Sequence, residues 1–69
     1  MKCALLSFRR GKKIKEENLD LNDCIKIATR YINDKRVERT LVVDEDEEGR
    51  VLYETGFDIE NKIYSKCSF

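Results

Sequence analysis

Hydrophobic residues change rhythm twice along this 69-residue chain. The first rhythm is a plain run: Cys3 to Phe8, CALLSF, closed by Arg9-Arg10-Gly11. Its shortness and its turn-like ending predict a strand rather than a helix. Lys13 to Asn18 returns as a candidate edge strand on the strength of a single apolar residue, Ile14. From residue 20 to residue 34 the spacing becomes helical. Leu21, Cys24, Ile25, Ala28, Tyr31 and Ile32 fall within an arc of about 120°, with Lys26, Arg30 and Asn33 on the far side. Asp20 is placed to cap this helix, and Leu19 before it to pack on Cys24 as a staple. Glu16, Glu17, Asp20 and Asp23 lie near the positive end of the helix dipole, and Lys35 and Arg36 follow the negative end. Asn33 or Asp34 is expected to end the helix.

Beyond it the period is two. Thr40 to Val43 is rich in β-branched and aliphatic residues, and Arg50 to Thr55 sets Val51, Tyr53 and Thr55 against Leu52 and Glu54. The acidic run and Gly49 between them predict a hairpin. After Gly56 the alternation continues from Phe57 to Phe69, weakest at Asn61-Lys62, where a last strand is expected to break into a hairpin. The pattern predicts an α+β fold: a small, mostly antiparallel sheet of three to five strands packed on a single helix at about residues 20–34.

Length allows one small domain over residues 1–69, and nothing resembles a linker: Pro is absent and Gly occurs only at positions 11, 49 and 56. A domain of this size buries only about 60% of the surface its unfolded chain exposes, so modest stability is expected. At 41% hydrophobic residues the chain is too apolar to be disordered. It contains no apolar run of about 18 residues that would span a membrane. Its first apolar stretch is six residues long and followed by basic residues, unlike a secretory signal. A cytoplasmic chain with no membrane partner is expected. Three cysteines, Cys3, Cys24 and Cys67, are an odd number at long spacings, and His is absent. Neither a disulfide scaffold nor a zinc site fits; buried, reduced thiols acting as small hydrophobes are expected, with no cofactor and no metal.

The chemistry of catalysis is thinly provided for. Without His the commonest activating base is missing, and no G-x-S-x-G, S-x-x-K or P-loop pattern occurs. Carboxylates abound, but a pocket that shifts a pKa needs volume that a domain this small spends on its core. No enzymatic activity is expected. Asp44 to Thr55, DEDEEGRVLYET, begins like a calcium-binding EF-hand loop. The twelfth place, however, is Thr55 instead of a bidentate Glu, the fifth is the long Glu48, and strands rather than helices flank it.

Charge is balanced in total, 14 basic against 14 acidic residues, yet segregated. Asp44, Glu45, Asp46, Glu47 and Glu48 form five carboxylates in succession at the expected hairpin tip. Such a tip is either a solvated turn or a contact surface for a protein partner with a basic groove, where carboxylates replace phosphates and steer association. Arg9, Arg10, Lys12, Lys13 and Lys15 place five cations within seven residues beside an aromatic, Phe8. They are either lysines and arginines guarding a sheet edge or a salt-sensitive grip on nucleic acid. A third alternative is a homo-oligomeric accessory protein joined through sheet edges, for which the C-terminal alternation provides a strand.

The order of parts is strand, basic turn, a D-L-x-x-C-I-K-I-A-x-x-Y-I helix from Asp20, and a V-V-D-x-x-x-x-G-x-V-L-Y hairpin from Val42. It resembles small inhibitor proteins encoded by phages and mobile elements, those of the anti-CRISPR type among them. The resemblance covers most of the chain and lies in size and architecture. It implies a bent antiparallel sheet curled around one helix and inhibition without catalysis. Proteins of that type bind a Cas nuclease or surveillance complex and occlude its site for DNA, often with acidic side chains in place of phosphates. No functional residue is shared across the group, so the resemblance assigns none here.

Overall fold

The computed structural model describes residues 2–46 and 49–68, apart from the side chain of Asn18. Among them run β1 (Lys2–Arg9), β2 (Lys12–Asp20), α1 (Leu21–Tyr31), β3 (Arg39–Asp44), β4 (Arg50–Phe57) and β5 (Ile63–Cys67). The strands form one sheet in the order β2-β1-β3-β4-β5, every neighbouring pair antiparallel. The α+β fold read from the sequence is the fold observed.

β1 is flanked on both sides, by β2 and by β3, so β2 and β3 run in the same direction. A chain leaving β2 must return to the start of β3, which calls for a crossover instead of a hairpin. α1 supplies it and packs on β1, β2 and β3. A helix about 10 Å across covers two to three strands spaced about 4.8 Å apart. β4 and β5 therefore extend past it.

Cys24 and Ala28, one helical turn apart, are fully buried, and their small side chains bring α1 close to the sheet. There they meet Cys3 and Leu5 of β1, Val42 of β3 and Leu52 of β4, with Leu19, Leu21, Ile27, Tyr31 and Tyr53 packed around them. Leu19 thus joins the cluster that holds Cys24, as the staple requires. Asp20 caps α1, its carboxylate accepting from the Asn22 N–H at 3.3 Å. The helix ends three residues short of Asp34 because that residue turns the chain. Its carboxylate accepts from the backbone N–H of Arg36 at 3.0 Å, and such a local side-chain bond competes with helical continuation.

Two irregularities break the expected alternation. Val42 lies opposite Tyr53, but Val43 lies opposite Val51, so Leu52 is an extra residue in a β-bulge. That drops Leu52 into the core at 2% exposure and leaves Val51 at 38%. A strict period of two would have put Leu52 with Glu54. In the second case β2 slips relative to β1 between Cys3 and Leu5, which lets Leu19 face the core.

β4 also runs on through Gly56 to Phe57. A Cβ on Gly56 would stand 2.7 Å from the Glu38 carbonyl oxygen and 3.1 Å from the Tyr64 hydroxyl, so only glycine admits both neighbours. The final break falls at Asp58 to Lys62, where the Asp58 carboxylate accepts from the N–H groups of Glu60 and Lys62. The strand after it, β5, is an edge, and Cys67 on it is exposed. The expectation of buried thiols holds for Cys3 and Cys24 and fails for Cys67, because α1 packs on β1, β2 and β3 and does not cover the β5 edge.

Candidate functional site

β1 acts as a ruler between the two charge clusters. Cys3 near its start is opposite Asp44, and Arg9 at its end is opposite Lys12. Six residues of strand separate them, roughly 20 Å at about 3.3 Å per residue, in a molecule whose longest dimension is 33 Å. At that distance in water two unit charges interact by only about 0.2 kcal/mol, and salt screens them further. Each pole therefore meets its surroundings on its own terms.

The acidic pole gathers Asp44, Glu45 and Asp46 with Asp20 and Asp23, which lie at the same end because β2 runs into α1 beside Lys2. Its members do different things. Asp44 is only 5% exposed. Its carboxylate turns back and accepts from the Asp46 N–H at 2.9 Å, while its carbonyl accepts from the Gly49 N–H at 3.3 Å. The Glu45 N–H donates to the Lys2 carbonyl at 3.2 Å, tying the turn to β1. Asp44 is thus a brace, and the exposed carboxylates are those of Glu45 and Asp46. Glu47 and Glu48, the remaining members of the expected contact surface, lie outside the described residues.

The basic pole is built by a two-residue turn. Arg10 and Gly11 both have positive φ, 47° and 79°, the geometry that suits the twist of a tight hairpin. Side chains alternate between faces along a strand, and this divides the five expected cations. Arg9 faces the helix, its guanidinium 4.9 Å from the centre of the Tyr31 ring. Lys12, opposite Arg9, shares that side. Lys13 and Lys15 fall on the other face, opposite Phe8 and Leu6, and Lys15 pairs with Glu17 at 3.2 Å. The fold adds a cation that sequence reasoning assigned only to the helix dipole. Arg36 joins Arg9, Arg10 and Lys12 around a depression of about 280 Å³. Asp34 grips Arg36 through two side-chain bonds of 3.1 and 3.2 Å. These bonds, helped by the nearby Arg9, hold the Asp34 carboxyl below the usual carboxylate range. The only signal for Arg36 was its position after a helix whose C-terminus the topology returns to the β1–β2 turn.

On the face away from α1, Arg39 stacks on Phe8 at 4.7 Å and Lys66 lies over Tyr64 at 5.8 Å. The Tyr64 hydroxyl donates to Glu54 at 2.5 Å. Burial first, and that hydrogen bond second, push the Tyr64 phenol up to about 12. Burial likewise pushes the Cys24 thiol up to about 11 and raises that of Cys3, where Asp44 adds to the effect. Both thiols are moved away from the nucleophilic thiolate. Among the described residues no group of three His, Cys, Asp or Glu side chains is arranged to hold a metal ion, and no helix is long and apolar enough to cross a membrane.

No family model, no curated protein and no solved structure matches the chain. The functional reading rests on the geometry above.

Proposed function

We infer that the protein acts by stoichiometric binding, without catalysis, and that its acidic pole docks in a basic groove of a protein partner. In the form that the anti-CRISPR resemblance suggests, the partner is a nucleic-acid-processing complex and the carboxylates take the place of phosphates. The observation that carries the reading is the brace. A buried Asp44 carboxylate fixes the turn, so Glu45 and Asp46 are offered on a turn tied to β1 by the Glu45–Lys2 hydrogen bond. Pre-ordering of this kind lowers the entropy cost of docking. The separate cationic pole orients the molecule during approach, an effect of charge distribution that a net charge of zero conceals. The two buried thiols, Cys3 and Cys24, shifted away from thiolate, accord with a binding role.

The experiment is charge reversal that spares the brace. Glu45→Lys with Asp46→Lys should lower affinity for a labelled arginine-rich peptide at least tenfold in fluorescence anisotropy. Wild-type binding should weaken as salt is raised. Unchanged affinity in the double variant would sink the reading. Asp44 is left alone, since a lysine there would bury an unpaired charge and unfold the tip for unrelated reasons.

A further inference from the structure

The cations that the fold collects at the other pole are not arranged as a track for a long polyanion. Lys13 and Lys15 turn to the opposite face, and what remains is a compact ring of Arg9, Arg10, Lys12 and Arg36. Three features set this ring apart. First, no ion pair or side-chain hydrogen bond links Arg9, Arg10 or Lys12 to another described residue, and the Arg9 Nε is buried without an acceptor. The stacking of Arg9 on Tyr31 and the field of Asp34 are its visible partners. Second, Arg10 occupies a left-handed backbone conformation (φ 47°) at a turn position where Asn, Asp or Gly is the unstrained choice, so a cation stands where local chemistry disfavours it. Third, Arg36 is locked in place by Asp34, 24 positions away in the chain from Lys12, and serves as a fixed wall. All four residues given for the lining of the depression are cations, and the Asp34 carboxylate beside them is already engaged by Arg36.

We propose that Arg9, Arg10, Lys12 and Arg36 form a binding site for a compact phosphate dianion, either free phosphate or the terminal monoester of a larger molecule. A volume of about 280 Å³ lies below the roughly 300–1,000 Å³ of pockets that enclose whole small molecules. A phosphoryl group fits within this depression with the attached body in solvent. Guanidinium groups from different elements supply planar donor pairs suited to phosphate oxygens, and Lys12 adds a mobile point charge. This proposal is independent of the acidic-pole reading, since the two poles do not sense each other.

The test follows amide chemical shifts of the full chain during titration with inorganic phosphate, and separately with a short single-stranded oligonucleotide bearing either a 5′-phosphate or a 5′-hydroxyl. Saturable shifts centred on residues 9–12 and 34–36 are expected. With the oligonucleotide, the 5′-phosphate form should bind at least tenfold more tightly than the 5′-hydroxyl form. Binding of inorganic phosphate alone at millimolar concentration identifies a free-phosphate site; binding of only the phosphorylated oligonucleotide identifies a nucleic-acid end site. Both outcomes support the proposal. Arg36→Gln and Arg10→Asn should each cut affinity at least fivefold with the rest of the spectrum retained, whereas Lys13→Ala with Lys15→Ala, and Glu45→Lys with Asp46→Lys, should leave it unchanged. The proposal is overturned if neither phosphate nor the phosphorylated oligonucleotide shifts these residues. It is equally overturned if the two oligonucleotides bind alike and lose affinity with Lys13 and Lys15, the behaviour of a general strand binder.

Discussion

Asp44 illustrates how one side chain divides an acidic run into structure and surface. Read in sequence it is the first of five equal carboxylates. In the fold it is buried, and its carboxylate replaces solvent as acceptor for the Asp46 N–H. Hydrogen bonds to a charged group contribute about 1.5–3 kcal/mol, and Asp44→Ala should lower unfolding free energy in urea by about that amount. Glu45→Ala should stay within about 0.5 kcal/mol, the range for exposed sites. Equal effects at both positions would refute the division of roles. Tyr64 carries a second residue-scale consequence. Its phenol sits at about 12 in the fold against 10.0 for an unperturbed tyrosine, so the neutral form is favoured by folding. The stability it contributes is fully present below pH 10 and is lost as pH rises from about 10 toward about 12. Tyr64→Phe should remove that part of the alkaline loss, measured by denaturant titration across the window. Neither role was legible beforehand. The inward rotation of Asp44 depends on the Lys2–Glu45 bond between distant segments, and the position of Tyr64 depends on Gly56 leaving room for its ring.

Among the elements, legibility followed the strength of the local signal. α1 was readable because Cys24 and Ala28 lie one turn apart among aliphatics and Asp20 stands ready to cap. β2 was faint, because an edge strand exposed along most of its length needs little apolar content; pairing to β1 through a tight turn decides it. The β4 bulge at Leu52 was invisible to any periodic reading, since a bulge is a departure from period. The β1–β2 turn yields a direct prediction. Arg10→Asn relieves a left-handed conformation that costs a β-carbon residue roughly 1–2 kcal/mol and that Asn tolerates better. The variant should melt a few degrees higher than the wild type. A lower melting temperature would mean that Arg10 is held by contacts that its strained backbone does not reveal. The edge strand β5 yields another. Under native conditions one thiol, Cys67, should react with iodoacetamide, and Cys3 and Cys24 only on unfolding, with mass spectrometry counting the adducts. Three rapid adducts would contradict the observed core.

At the scale of the whole molecule the decisive feature is topological. Placing β1 between β2 and β3 sends the β1–β2 turn and the β3–β4 tip to opposite ends of one sheet, and the crossover helix carries Asp20 and Asp23 to the acidic end and Arg36 to the basic end. The sequence displayed both clusters but not their opposition, because strand order is set by long-range pairing that no local pattern encodes. The alternation of side chains along β2, by contrast, is local, and it parts Lys13 and Lys15 from Arg9 and Lys12 although they are near neighbours in the chain. The central claim is that these poles are separate binding surfaces of opposite charge. Its most direct test is a pair of amide chemical-shift maps of the wild-type protein, one recorded with the arginine-rich peptide and one with inorganic phosphate. The account predicts two footprints that do not overlap, the peptide at residues 44–46 and phosphate at residues 9–12 and 36, each persisting when the other ligand is present. A shared footprint, or mutual displacement of the two ligands, would contradict it.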